Sequence, residues 1–440
     1  MEIHENTKKT LNFVYDSWVF DEPTHNLSEI LGDSSFREEY GYFDFYQRFF
    51  HAQLGYSRNI FEVQKHRISD VYDNPSTQFY YGIKTNWGLG DILGNENNYE
   101  LSDSIIKCLQ DCDNIKIFFI REHEPESITD IKRGLKYLSE KNISDTKLLI
   151  ISNNPKIDEY KKELNANFHF FRTNLLQITC SSVWNELGSE YKVEKDGKFF
   201  SCLNKSPKQH RISTLIELQD RKILQNTNWS MLIDYREGKN VDEDIIYDFK
   251  FYINDIDSKK DVIHSIIDRG PRKSDYEKNL NLDGWGFERP DKEIGGAGGE
   301  AGGIMVPESK LGHENSYVNI VTESYYDKKF DVIHVTEKSL RPFFYYQFPI
   351  IVGSVGHIKW MEDVLGFDFY RDIIDHSYND IENDKERFQA TINEIERINN
   401  NQESFKSYFK NNKERFEKNK NIVSNLPNND QDLKYFINKL

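Results

Sequence analysis

Hydrophobic positions along the chain fall into two runs of alternating strand and helix patterns. From residue 79, short continuous apolar runs at 79–83, 115–120, 147–152 and 168–171 alternate with helically spaced segments at 101–109, 128–140 and 156–164. Runs that are apolar on both faces and separated by helices predict a parallel sheet covered on both sides. A second alternation starts at Lys198, after the charged turn Glu194-Lys195-Asp196-Gly197. Its predicted strands are 199–203, 229–233, 317–322 and 349–352, and its predicted helices are 209–223, 262–268 and 339–347. The expected fold class is α/β, with two Rossmann-like domains, 78–197 and 198–379, facing across a cleft.

The flanks have weaker patterns. Residues 1–77 carry an aromatic cluster at Tyr40, Tyr42, Phe43, Phe45, Tyr46, Phe49 and Phe50 without a clear period. They predict an N-terminal extension of irregular helices packed on the first domain, or an aromatic surface for stacking sugar rings. Residues 380–440 predict C-terminal helices at 380–399, 402–419 and near 430–440, bracing the domains or carrying oligomer contacts. The glycine-rich stretch 295–303 predicts a mobile loop. It lacks the lysine and hydroxyl residue of a phosphate-binding loop, which argues against a Walker-type site.

Composition narrows the classes. A chain of 440 residues exceeds one typical core, in keeping with two domains. No apolar run reaches the length of a membrane span, and the opening Met1-Glu2-Ile3-His4 lacks the order of a secretory signal, so a cytoplasmic site is expected. Abundant Asn, Asp, Lys, Ile and Tyr suggest an AT-rich bacterial or viral genome. Cys108, Cys112, Cys180 and Cys202 are too few for a disulfide framework and are read as reduced thiols. Cys108 and Cys112 lie one helical turn apart with no matching second pair, which argues against zinc. A net charge of -16 opposes nucleic acid by long-range repulsion.

Three segments carry candidate chemistry. His334-Val335-Thr336-Glu337-Lys338 precedes a helix-like run and the strand Pro349-Ile350-Ile351-Val352. It sets a carboxylate that accepts diol protons beside a cation suited to a diphosphate at a helix start. The same pair also suits an ordinary solvated helix terminus. Earlier, the strand 199–203 runs through Asn204-Lys205-Ser206-Pro207-Lys208 into a helix bearing Arg211, so that backbone N–H groups and a guanidinium can meet phosphate oxygens. Between them, the strand 317–322 ends in Glu323-Ser324, either a hydroxyl-accepting carboxylate or a plain strand end.

Together these segments resemble the α1,3-fucosyltransferases over about residues 198–365. That family reads Tyr-Val-Thr-Glu-Lys before a helix and a Val/Ile-rich strand, and its second domain opens with a strand, a Ser-Asn pair and a helical arginine. Here His334 replaces the tyrosine and Leu203 interrupts the Ser-Asn pair. Glu323 takes the asparagine place of a Glu-Asn-Ser strand end, with Thr322 in the preceding glutamate place, which points to a different sugar. The resemblance implies an inverting, metal-independent glycosyltransferase of GT-B architecture, with GDP-sugars favoured as donors. The first domain would bind a glycan or other hydroxyl acceptor and the second the nucleotide-sugar. Donor binding then falls to Asn204, Arg211, Glu323, Glu337 and Lys338, with Arg211 and Lys338 on the diphosphate and the two glutamates on hydroxyls.

Inverting transfer needs a base to take the acceptor proton. Asp91 closes the loop Gly88-Leu89-Gly90-Asp91, which resembles the Gly-x-Gly-Asp loop of heptosyltransferases, although a helix N-cap is an equal use for it. Glu122 and Glu124 lie in Arg121-Glu122-His123-Glu124-Pro125-Glu126, where like-charge crowding raises a carboxylate pKa, or where solvent simply screens the charges. The sequence does not decide between Asp91 and Glu124. Asp255-Ile256-Asp257 spells the Asp-x-Asp of metal-dependent transferases outside the domain that needs it, so neither metal nor cofactor is expected. Two alternatives remain: glycosylation of modified nucleic-acid bases, and a non-catalytic GT-B-like binding or assembly module.

Overall fold

The computed structural model describes residues 9–15, 61–85, 101–121, 125–152, 154–172, 188–204, 208–230, 252–253, 258, 261–262 and 313–429. The chain divides into two compact units, residues 1–178 with 427–440, and residues 179–426. Both are α/β with parallel sheets.

Unit 1 contains strands β1 (Lys9–Tyr15), β2 (Phe61–Arg67), β3 (Phe79–Thr85), β4 (Ile115–Arg121), β5 (Leu148–Ser152) and β6 (His169–Arg172). They form a six-stranded sheet in the order β2-β1-β3-β4-β5-β6, with every pair parallel. Helices α1 (Ile68–Asp73), α2 (Asp103–Asp111), α3 (Ile128–Glu140) and α4 (Ile157–Glu163) make the connections. Ser102 and Ser127 cap α2 and α3 by accepting from Ile105 N and Asp130 N. Each helix turns a periodic apolar face to the core, Ile105, Cys108 and Leu109 on α2, and Ile131, Tyr137 and Leu138 on α3. β5 is buried at every position, as a central parallel strand must be.

The described parts of residues 1–75 correct the expectation of irregular helices. Lys9–Tyr15 and Phe61–Arg67 are strands of the unit 1 sheet, continuous with it rather than an extension beside it. β2 is an edge strand, and its Glu62, Lys65, His66 and Arg67 are the charged and polar residues that edges tolerate and that hide a strand from an apolar pattern. The aromatic cluster at 40–50 lies outside the described residues.

Unit 2 contains β7 (Phe200–Leu203), helix α5 (Gln209–Asp220), β8 (Thr227–Ser230), β9 (Val318–Thr322), α6 (Glu337–Phe344), β10 (Phe348–Val352), the short α7 (His357–Trp360), and helices α8 (Asp384–Asn400), α9 (Gln402–Asn411) and α10 (Lys413–Asn429). The four strands are parallel in the order β10-β9-β7-β8. The chain leaves β7 for β8 on one side and returns to β9 on the other. The carboxyl ends of β7 and β9 therefore flank a topological switch point, the crevice where open parallel sheets bind ligands.

Residues 188–197, expected in the first domain, belong to unit 2. Ser189 Oγ donates to Phe344 O (2.7 Å), and buried Lys195 donates to Glu314 O and Tyr345 O, both at 3.0 Å. The predicted helix 402–419 breaks at Asn412 into α9 and α10. These helices join the unit 2 core through buried Phe388, Ile392, Ile395, Phe405, Phe409 and Phe416. Among the described residues no helix is long and apolar enough to cross a membrane. The glycine-rich stretch 295–303, Cys180, Asp255-Ile256-Asp257 and residues 430–440 lie outside the described residues.

Candidate functional site

The carboxyl end of the unit 2 sheet gathers a buried polar cluster around Glu323. That residue directly follows β9, and Thr336, the N-cap of α6, supplies both its main-chain N–H (3.2 Å) and its hydroxyl (2.8 Å) to the carboxylate. Ser339 Oγ donates to Oε1 at 2.5 Å, and Ser324 N to Oε2 at 3.2 Å. Each oxygen thus holds two protein donors, which fills the four lone-pair sites of a carboxylate. Glu323 is fully buried. Burial alone raises its carboxyl, yet the Lys338 ammonium and the hydroxyl donors prevail and hold it at about 2.

The first turn of α6 is built by the same bonds. Thr336 Oγ1 accepts from Lys338 N (3.2 Å) and from Lys338 Nζ (3.1 Å), so this one hydroxyl caps the helix, anchors the lysine and reaches the glutamate. Glu337 sits at the positive end of the helix, 3.2 Å from Lys338 Nζ and 3.7 Å from Arg341. It is buried, which raises its carboxyl, and the two cations outweigh that and lower it. The helix starts at Glu337, two residues before the predicted 339. It ends where Tyr346 takes a left-handed φ of 54° and Gln347 N bonds back to Pro342 O at 2.7 Å, a C-terminal closure of the Schellman kind.

From the β7 side, His210 Nε2 donates to the Glu323 carbonyl at 2.7 Å and Arg211 donates to the same oxygen at 3.3 Å. Lys208, the N-cap residue of α5, reaches Ser324 O at 2.9 Å and lies 5.5 Å from the Tyr325 ring. Asn204, just after β7, accepts from the Thr322 hydroxyl and so ties β7 to β9 across the switch point. From the β10 side, His357 Nε2 lies 2.9 Å from Ser339 Oγ. Burial, helped by Arg211, holds His210 down at about 3, and burial holds His357 at about 4 against the opposing charge of Glu323.

All five residues expected to bind donor, Asn204, Arg211, Glu323, Glu337 and Lys338, belong to this connected cluster. Lys208, Arg211, Lys338 and Arg341 set four cations against two carboxylates, a locally positive site in a chain of net charge -16. The expected bases Asp91, Glu122 and Glu124 lie outside the described residues. Sequence reasoning missed His210, Ser339 and His357 as members of the cluster, and named Lys208 and Thr336 only as parts of their segments, without a role. The available signal was position, since each lies within a few residues of the carboxyl end of a predicted strand or at the start of the helix that follows. Among the described residues, no three His, Cys, Asp or Glu side chains form a metal-ligating group. No family model, curated protein or solved structure matches the chain.

Proposed function

We propose that unit 2 binds a nucleoside diphosphate sugar and that the chain is an inverting glycosyltransferase of GT-B architecture, acting on a glycan or other hydroxyl acceptor. The observation that carries this reading is the convergence of Arg211 and Lys338 on one residue at the switch point. Arg211 bonds the Glu323 carbonyl, and Lys338 bonds the Thr336 hydroxyl that serves the Glu323 carboxylate. Cations at a helix start beside a sheet crevice are suited to the charge of a departing diphosphate.

In this reading Lys338 and Lys208, the more exposed cations, meet the phosphates, while Arg211 fixes the loop after β9 from behind. Glu323 positions α6 instead of touching the sugar, because its oxygens are already occupied by the protein. Glu337, held ionised between Lys338 and Arg341, is the carboxylate for a diol. As the bond from the anomeric carbon to the diphosphate breaks, the acceptor oxygen attacks from the opposite face and loses its proton to a unit 1 carboxylate, Asp91, Glu122 or Glu124.

A thermal-shift screen of the whole chain against pyrophosphate, UDP, GDP, ADP and their sugar conjugates tests the reading. A ligand at 100 times its dissociation constant adds about 2.7 kcal/mol of stability. Stabilisation by one nucleotide series, followed by transfer with that donor, is the expected result. Indifference to every nucleotide would leave the cluster as a purely structural clamp and the chain as a binding or assembly module.

A further inference from the structure

We infer that the loop between β9 and α6 carries the nucleobase platform of the ligand, with the base stacked on Phe330 beside Tyr325, an assignment that rests on the nucleotide-sugar reading above.

Residues 324–335 form a closed loop at the carboxyl end of β9, because both of its ends meet at one carboxylate. Ser324 N donates to Glu323 Oε2 and Thr336 N to Oε1, each at 3.2 Å. Compact surface loops with joined ends are frequently functional. The middle of this one is also fixed. Tyr326 is buried and stacks on His210 with centroids 5.3 Å apart, its carbonyl accepts from Arg387 Nη2 at 2.7 Å, and Lys328 N donates to Asp384 Oδ1 at 3.0 Å. Val332, Ile333, His334 and Val335 are buried in turn.

Phe330 departs from this pattern. It is 40% exposed, and among the described residues no other phenylalanine is as open to solvent. It ends a short 3-10 turn, Lys328–Phe330, that is closed by Asp331 in the left-handed region at a φ of 49°. A lone exposed ring is ordinary. This ring instead meets half-buried Tyr325 edge to face at 5.3 Å, and Tyr325 meets buried His334 in the same way at 5.5 Å.

The pair adjoins the cations given to the phosphates. Lys208 Nζ lies 2.9 Å from Ser324 O and 5.5 Å from the centre of the Tyr325 ring. Contacts of 5.5 and 5.3 Å thus lead from that ammonium through Tyr325 to Phe330, a reach that a nucleoside diphosphate spans between its phosphates and its base. Lys208 and Lys338 meet the diphosphate and Glu337 a diol, so the flat base is the part of the ligand still without a contact. An open aromatic ring suits it, because every base has a π-face. Lys329, paired with Asp327 at 3.6 Å, holds its ammonium 5.0 Å from the Phe330 ring, where it can donate to the base's acceptor atoms. A protein partner would need roughly 800 Å² of surface, far more than one ring offers.

Calorimetric affinities of the full chain for pyrophosphate, UDP, GDP and ADP test the assignment in Phe330→Ala and Phe330→Trp. Phe330→Ala is expected to bind the nucleoside diphosphate that the wild type takes about 5- to 100-fold more weakly, with pyrophosphate affinity unchanged. Phe330→Trp restores a stacking face and is expected to hold nucleotide affinity at or above the wild-type level. Should the alanine variant not fold, Phe330→Leu keeps apolar bulk against Tyr325, removes the π-face and carries the same expectation. Unchanged nucleotide affinity without the phenylalanine, an equal loss for pyrophosphate, or a tryptophan variant as weak as the alanine one overturns the assignment and leaves the nucleotide-sugar reading standing. A wild-type chain that binds none of the probes removes both.

Discussion

At the amino end of the unit 2 sheet, Phe348 is ringed by Tyr370, Phe405, Phe409 and Phe416, with centroids between 5.0 and 6.3 Å away. At the carboxyl end of the same sheet, the buried groups are Glu323, Glu337, His210, His357 and the Thr336 and Ser339 hydroxyls. The first interior is stabilised by apolar area and ring contacts, which are indifferent to protonation. The second is held by directional bonds whose benefit largely cancels against desolvation and whose sign depends on charge state. One sheet thus carries an end held by apolar packing and an end held by directional bonds between buried polar and charged groups.

Acid should act most strongly on the buried imidazoles of unit 2, His210 and His357 at the carboxyl end, His313 beside Asn319 near the start of β9, and His376. Burial holds His210, His313 and His376 at about 3 and His357 at about 4, against 6.5 for an unhindered imidazole. The unfolded chain therefore binds more protons than the native one below pH 6.5, and stability falls as pH drops towards the folded values. Each histidine contributes roughly 1.4 kcal/mol per pH unit, so four of them approach the entire stability of a domain by about pH 5. Urea titrations at pH 7, 6 and 5 should show this steep loss with about four protons taken up on unfolding. A flat profile over that range would mean these imidazoles are not buried in their neutral form.

Phe348→Ala probes the other end. Removing a fully buried aromatic should cost about 3–5 kcal/mol. Because no titrating group is involved, the loss should be the same at pH 7 and pH 6. A strongly pH-dependent loss would show that the aromatic cluster and the histidine network are not separable.

How far the sequence disclosed these ends follows from the same contrast. β9 and β10 are buried at every position, so continuous apolar runs marked them within a residue of their true bounds. β1 and β2 escaped because Lys9, Asn12, Glu62 and Lys65 interrupt the pattern at the edge side of a sheet whose order only the fold reveals. At the site, Thr336-Glu337-Lys338 was legible because an N-cap, a carboxylate and a cation form a local signal. The partnership of Ser339 with His357, 18 residues apart, and of His210 with Glu323, 113 residues apart, was not, since neither histidine has a local partner that distinguishes it from the other ten. The occupation of both Glu323 oxygens by protein donors was equally hidden, and under the proposed reading it makes the residue a positioning group.

Glu323→Gln sharpens the comparison at the carboxyl end. With its carboxyl held at about 2, Glu323 contributes stability that is complete above about pH 4.5 and is lost as pH falls towards 2. At pH 7 the amide should cost about 2–3 kcal/mol, because its NH2 meets donors where an oxygen accepted two bonds. Ser339→Ala in the same molecule should add less than it does alone, since both act through one network. Additive losses would show that Ser339 and Glu323 do not share a bond that matters.

Lys338→Ala tests the residue given the largest role in binding. Lys338 keeps a quarter of its side chain exposed, and its ammonium rests on the Thr336 hydroxyl and on Glu337, a buried carboxylate. Lys338→Ala should therefore cost about 1–3 kcal/mol at pH 7, because buried Glu337 keeps only Arg341 and buried Glu323 loses the cation that offsets its burial. Affinity for a nucleoside diphosphate should fall about 10- to 100-fold, the equivalent of one charge-assisted hydrogen bond. Measured together by denaturation and calorimetry, these two numbers distinguish a ligand cation from a structural one. A lysine whose loss weakens the fold and leaves nucleotide affinity intact would belong with Glu323 as scaffold, and the carboxyl end would lose its claim to bind phosphate.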